Sequence, residues 1–310
     1  MPYRPTLRQL EYIVALDTFR HFGKAAQHCH VSQPTLSVQV GLVEKSLGVT
    51  LFERTPTVIV TTPVGADVAR GARLALAAID DVVDGAVRDA KTLGGTIRLG
   101  TAPTFGPYFL PRLLPGLHRK FPTLKIYIRE DNPKAIEAAV AEGSLDCGLG
   151  PSPELDGLSF QPIGNEKLFY GVPGEHRLSQ NETATIKDLQ GEKLLALGSG
   201  HRLMENVRHL ATAANAVVVD DYEGTSLDSI RQMVSIGMGC SLFPQLYARA
   251  EFRQDDDVKL LTISDWEERR EVGFFWRVNS GRGSQYEILV QEALPIAVDA
   301  GLIIADRRPG

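Results

Sequence analysis

The sequence predicts a multidomain protein: an α-rich winged helix-turn-helix, a long linker helix, and then a two-lobed α/β domain. Three observations predict it. Closely spaced helical stripes that end in LFERTPTVIVTTPVG open the chain, and an alanine-rich stretch of helical period follows them. From Thr96 onward, β-rich runs alternate with amphipathic ones. At 310 residues the chain is also too long for one small core. The expected boundaries are 1–60 for the winged helix-turn-helix, 61–92 for the linker helix, and 93–310 for the two-lobed α/β domain. Within the last, lobe I covers about 93–164 and 271–310, and lobe II about 165–270.

Composition narrows the class. A hydrophobic content of 43 % and 23 % charged residues are those of a soluble globular protein. No apolar run spans a bilayer, and MPYRPTLRQL lacks the apolar core of a signal peptide, so a cytoplasmic protein is expected. Cys29, Cys147 and Cys240 show no CxxC or Cys/His ligand spacing, which argues against a disulfide framework and against a zinc site. No cofactor is called for. The net charge is −5, yet within residues 1–60 Arg4, Arg8, Arg20, Lys24, Lys45 and Arg54 outnumber Glu11, Asp17, Glu44 and Glu53. A mildly basic segment inside an acidic protein points to a localised nucleic-acid surface.

In that segment Leu7, Leu10, Ile13, Val14 and Leu16 mark a first helix, and Ala25, Ala26 and Cys29 a second. Ser32 stands as the N-cap of a third, with Pro34 early enough to be tolerated. Leu36, Val40, Val43 and Leu47 form its buried stripe, opposite Gln33, Thr35, Ser37 and Gln39, whose short polar side chains suit base edges in a major groove. Gly48 ends this helix, and two short strands about a tight turn make the wing. Pro63 to about Lys91 reads as one long helix, in which Val68, Ala72, Leu76, Ile79, Val83 and Val87 keep a narrow apolar seam suited to a paired helix.

The residues FGKAAQHCHVSQPTLSVQVGLVEKSLGVTLFERTPTVIVTTPVG, Phe22 to Gly65, closely resemble the DNA-binding domain of LysR-type transcriptional regulators. The resemblance implies that Gln33, Pro34, Thr35 and Ser37 contact bases in the major groove and that Arg54 meets a phosphate. It also implies pairing through the linker helix into a homodimer or homotetramer, a partly palindromic promoter site on double-stranded DNA, and RNA polymerase as a further partner. Val38, Leu42, Thr57 and Val58 stand where family members often carry basic residues, so a shallower salt dependence of binding is expected. Gly41 lies inside the recognition helix.

The effector half reads as a parallel α/β plan of two series, the second starting after Gly164, and its two lobes resemble the periplasmic-binding-protein plan that LysR-type regulators share. Ligands in such sheets sit outside the carboxyl ends of the strands. Pro103, Thr104 and Phe105 follow one strand, Gly200, His201 and Arg202 another, and Thr225 and Ser226 precede a further helix. These are the candidate effector-binding residues. In LGSGHRLMEN, Leu197 to Asn206, the helix start has no evident side-chain cap, whereas Thr225 and Asp228 fit a capping box. Arg202 therefore either marks an anion site or serves as ordinary surface charge beside Glu205.

This half looks most like the peroxide-sensing OxyR branch of the family, on the strength of TAPTFGPYFLPRLLPGLHRKFP, DCGLG, GEKLLALGSGH and TSLDSIRQMVSIGMG. The resemblance places Arg202 and Ala211 where that branch has its reactive and resolving cysteines, so its dithiol switch is absent. It also matches Thr104 to a hydroxyl of the branch's peroxide pocket. Cys240 and Cys147 are candidate substitute thiols, although apolar strand settings favour packing roles. No GxSxG, HExxH or P-loop occurs, and no enzyme activity is expected. The leading reading is a DNA-binding regulator that responds to a small anionic effector between two lobes. The alternatives are an oxidant-responsive regulator using Cys240 or Cys147 and, from a different class, a two-lobed solute-binding protein or enzyme. Membranes are not expected partners.

Overall fold

The computed structural model describes residues 3–54, 59–87, 92–219, 226–252 and 257–303. They form two compact units, the first built mainly from residues 1–89 and the second from most of the remainder.

The first unit begins with α1 (Leu7–Phe19), capped by Thr6 and Gln9 in a reciprocal capping box, followed by α2 (Phe22–His28) and α3 (Gln33–Leu47). Ser32 caps α3 by accepting from Thr35 N at 3.2 Å, and Gly48 closes it in the left-handed region at φ 69°. Leu36, Val40 and Val43 are buried against Ile13 and Leu16, but Leu47 is exposed, so the stripe loses its last member where the helix runs out of the core. Strands β1 (Phe52–Arg54) and β2 (Ile59–Thr61) pair antiparallel as the wing. The expected wing-tip residues Thr57 and Val58 lie outside the described residues.

Glu44 links α3 to the wing: one carboxylate oxygen accepts from Leu51 N at 2.8 Å and Phe52 N at 3.1 Å. The linker helix α4 (Pro63–Val87) then packs on α1 through Val68 and Ala69, and Arg73 forms an ion pair with Asp17. Gly65 meets the wing so closely that a Cβ there would sit 2.1 Å from the Leu51 carbonyl oxygen. Along the expected seam Ala72 is buried, Val68 and Leu76 half-buried, and Ile79 exposed. The side chains of Val83 and Val87, and residues 88–91, lie outside the described residues.

The second unit begins with β3 (Gly95–Thr101), α5 (Gly106–Lys120), β4 (Leu124–Glu130), α6 (Pro133–Ala141) and β5 (Cys147–Pro151). A strand of 16 residues follows, β6 (Leu158–Pro173). Next come β7 (Thr183–Ala184), β8 (Lys193–Leu194), α7 (Arg202–Ala214), β9 (Val217–Val218), α8 (Leu227–Ser235), β10 (Ser241–Pro244), α9 (Gln245–Glu251) and β11 (Val258–Ile263). The unit closes with β12 (Arg269–Arg277) and α10 (Gly283–Asp299).

The main sheet runs β4-β3-β5-β12-β6-β11-β7, with β10 also paired to β6. It is mixed rather than parallel. The strands β4, β3 and β5 are parallel, whereas β12 is antiparallel to both β5 and β6, and β10 and β11 are antiparallel to β6. Nor does a second series start at Gly164. β6 passes straight through that glycine, pairing with β12 up to Lys167 and with β10 and β11 beyond it. One long strand thus belongs to two hydrophobic cores. The first gathers Leu99, Phe105, Phe109, Phe274 and Leu289, the second Tyr170, Leu210, Ile230, Leu242 and Phe243. The mixed order follows because both crossing strands must traverse the sheet to return the chain between lobes.

Candidate functional site

On α3 the predicted base-reading side chains Gln33, Pro34 and Thr35 are exposed and Ser37 is half-buried. Thr35 Oγ1 also lies 2.7 Å from the Ser32 hydroxyl, so capping and display share one turn. Gln39 does not stand with them, because its amide oxygen accepts from Gln9 Nε2 at 3.0 Å. Val38 is 60 % and Leu42 46 % exposed, which puts methyl groups rather than cations on this surface. Arg54 ends β1, and its side chain lies outside the described residues.

In the effector half the helix-start glycine turn is as expected. Gly200 has φ 101°, and α7 begins at Arg202 with His201 as an N-cap that makes no side-chain cap bond. The Arg202 side chain keeps the expected pairing with Glu205, but not as ordinary surface charge. It points neither to solvent nor to an open anion site, being only 9 % exposed and ringed by carboxylates. Its Nη2 donates to Glu137 Oε1 on α6 at 2.9 Å, its Nη1 pairs with Glu154 beyond β5, and Glu205 lies 3.7 Å away. The other Glu137 oxygen accepts from the backbone of Glu154 (3.0 Å) and Leu155 (3.2 Å). Arg202 therefore joins α7 of lobe II to α6 and the β5–β6 turn of lobe I. The spacing of carboxylates along the sequence gave no sign of this, since Glu137 is 65 residues away.

Thr104 is buried and receives a second guanidinium that sequence reasoning missed. Arg270 Nη1 donates to Thr104 Oγ1 at 2.6 Å and Nη2 to its carbonyl at 3.1 Å. Arg270 also pairs with Glu166, and Glu166 Oε1 accepts from Leu246 N at 2.8 Å. Arg270 and Glu166 are 4 % and 0 % exposed, so this is a desolvated pair completed by hydrogen bonds on both sides. Its sequence trace is faint: Glu166 and Arg270 each stand in a short polar or charged stretch just ahead of an apolar run.

Two other expectations need correction. Phe105 is fully buried and stacks on Phe109 at 5.1 Å, so it belongs to the core and not to the crevice. The loop turns it inward because Gly106 sits against Thr101, where a Cβ would come 2.3 Å from Oγ1. The α8 cap is Ser226, accepting from Ser229 N at 3.2 Å, while Asp228 accepts from the Tyr247 hydroxyl at 2.8 Å. Thr225 lies outside the described residues. Pro103 and His201 are half-buried, and Gly200 faces Asn132, whose Oδ1 would be 3.2 Å from a Cβ at that glycine. Cys147 and Cys240 are both buried, and burial pushes the Cys240 thiol up to about 11.

Residues 7–66 match the family described as "Bacterial regulatory helix-turn-helix protein, lysR family", and residues 90–295 match "LysR substrate binding domain". The chain belongs to the LysR family of bacterial transcriptional regulators. This LysR-family chain is 36 % identical to the DNA-binding transcriptional dual regulator OxyR of Escherichia coli strain K12, over 92 % of its own length and 93 % of that protein. It is 32 % identical to a hydrogen peroxide-inducible genes activator of Haemophilus influenzae, over 91 % and 93 % of the two chains. Among solved structures it resembles a full-length OxyR variant from Pseudomonas aeruginosa, with TM-score 0.78, 30 % identity, and coverage of 94 % of this chain and 95 % of that one. An OxyR variant of Corynebacterium glutamicum described as H2O2-bound matches at TM-score 0.64 and 27 % identity, over the whole of both chains. The family reading of the sequence therefore holds: this is an OxyR-like, DNA-binding transcriptional regulator with an effector-binding domain, not an enzyme. No helix among the described residues is long and apolar enough to cross a membrane.

Proposed function

We propose that this LysR-family regulator responds to a small anionic effector at the seam between its lobes, and that Arg202 reads it by exchanging carboxylate partners. The observation that carries this is the asymmetry of the Arg202 cluster. Glu137 is buried and anchored by two backbone amides, whereas Glu154, on the other side of the guanidinium, is 58 % exposed. An effector carboxylate that displaced Glu154 would keep Arg202 paired and the desolvated Glu137 compensated, so the exchange costs little. Loss of the Glu154 contact would also release one tie between lobes, which supplies a two-state element for the signal.

The resemblance to the family supports the other details of the reading. Gln33, Pro34, Thr35 and Ser37 would read bases, Arg54 would hold a phosphate, and α4 would pair two chains on a partly palindromic site, as a homodimer or homotetramer that works with RNA polymerase. An oxidant sensor using Cys240 or Cys147 has less support, because a sensor thiol needs exposure and a lowered pKa.

The test is a calorimetric screen of small carboxylic acids on the full-length protein, with Arg202→Gln and Glu154→Gln beside the wild type. A ligand that binds the wild type, binds Glu154→Gln more tightly and fails on Arg202→Gln supports the reading. Equal binding to wild type and Arg202→Gln overturns it.

A further inference from the structure

We propose that His176, Glu192 and Cys240 form a binding site for a divalent metal ion of the zinc class within lobe II. These residues are far apart in sequence, which is why no ligand spacing is visible there. The fold gathers them: a ligand atom from each lies within 4.8 Å of the others. Tetrahedral zinc holds sulfur, nitrogen and oxygen ligands at about 2.0–2.3 Å, hence about 3.3–3.8 Å from one another, so a closure of about 1 Å completes the set. His176 Nε2 already stands 3.2 Å from the Glu192 carboxylate.

A second observation points the same way. The Tyr170 hydroxyl is fully buried beside the Cys240 sulfur and has no hydrogen-bond partner of good geometry. A buried phenol held only by the weakly accepting sulfur of Cys240 is a ready donor to that sulfur once metal-bound, or to a metal-bound water. The backbone around the site is well tied. Cys240 N donates to Lys193 O at 2.8 Å, Leu195 N to Cys240 O at 2.8 Å, and Val217 N to Glu192 O at 2.8 Å.

The access side is polar. His176 and Glu192 keep 15 % and 17 % side-chain exposure, and Arg177, which pairs with Glu192 at 2.7 Å, is 54 % exposed and can swing aside. Binding exchanges the Cys240 S–H bond for a sulfur–metal bond and releases that proton to solvent. Coordination by His176 Nε2 moves the ring proton to Nδ1, which gives up its 3.2 Å bond from Leu178 N. Thiolate and carboxylate then balance the two positive charges. Sulfur, imidazole and carboxylate together select zinc over magnesium or calcium. The site also bears on the seam, because β8, directly after Glu192, leads into the Gly198–Arg202 turn.

The test uses the full-length protein, stripped with a chelator and titrated with zinc ion against a chromophoric competitor, and with cobalt ion as a spectroscopic reporter. One zinc per chain is expected, with a thiolate-to-cobalt charge-transfer band. Loss of a partner even one shell beyond the metal costs sites about 10–100-fold in affinity, so His176→Ala and Cys240→Ala should each cost at least the upper figure. His176 lies near the surface, so His176→Ala keeps the test sound should Cys240→Ala fail to fold. Zinc affinity unchanged in His176→Ala, or a wild-type cobalt spectrum without the thiolate band, overturns the proposal.

Discussion

Arg202 Nη2 lies 2.9 Å from Glu137 Oε1, and both side chains are more than nine-tenths buried. Removing one partner of such a pair strands the other charge in a desolvated place, which costs about 3–5 kcal/mol. Arg202→Ala strands Glu137 and should lower stability by about that much. Glu154→Gln leaves the Arg202–Glu137 bond in place and should change stability by less than about 1 kcal/mol, as for an exposed ion pair. Chemical denaturation of both variants checks this; equal losses would mean that the buried bond contributes nothing special.

Gly41 is a helix-interior glycine with no atom within 4 Å of where a Cβ would lie. Gly41→Ala should therefore stabilise the DNA-binding unit by about 0.5–1 kcal/mol through reduced backbone freedom. A rise in the melting temperature is the expected reading, and a fall would show that the position is strained.

Gly65 is the opposite case. A methyl group at 2.1 Å from the Leu51 carbonyl oxygen has nowhere to go, so Gly65→Ala must push α4 off the wing. Loss of stability should be larger than for any exposed glycine in the same unit, measured by thermal melting under identical buffer conditions.

Leu42 exposes nearly half its surface on the recognition helix. Replacing it with lysine should tighten DNA binding at low salt and steepen the salt dependence by about 0.9 for each phosphate reached. Fluorescence anisotropy across a salt series reads both. A parallel shift with no change in slope would place Leu42 away from the backbone of the DNA.

Burial holds the Cys240 thiol protonated, with its pKa pushed from 9.0 to about 11. The folded state thus binds this proton more tightly than the unfolded chain does. Its stabilising contribution is fully present below pH 9 and is lost as pH rises toward 11, by about 2–3 kcal/mol in all. In metal-free protein, Cys240→Ala should flatten the decline in stability between pH 9 and 11 relative to wild type, the tyrosines adding a decline to both. The same slope in wild type and variant would refute the assignment.

Local chemistry settled much of this protein before any fold was known. Ser32 before Gln33 and Pro34, the three- and four-residue steps of Leu36, Val40 and Val43, and the αL-prone Gly48 define the recognition helix within a few residues, because caps and stripes act over one or two turns. The same holds for α7, whose start after the Gly200 turn was legible. What Arg202 does was not legible. Its partners, Glu137 and Glu154, come from other elements, and an ion pair is chosen by whichever carboxylate the packing brings near, not by spacing along the chain. The same reason hid Arg270 against Thr104, turned Phe105 into the core, and left the association of His176, Glu192 and Cys240 invisible to any ligand motif. The sequence by itself determined the helices, their order and the family; the long strand β6, shared by two cores, decided which charges meet.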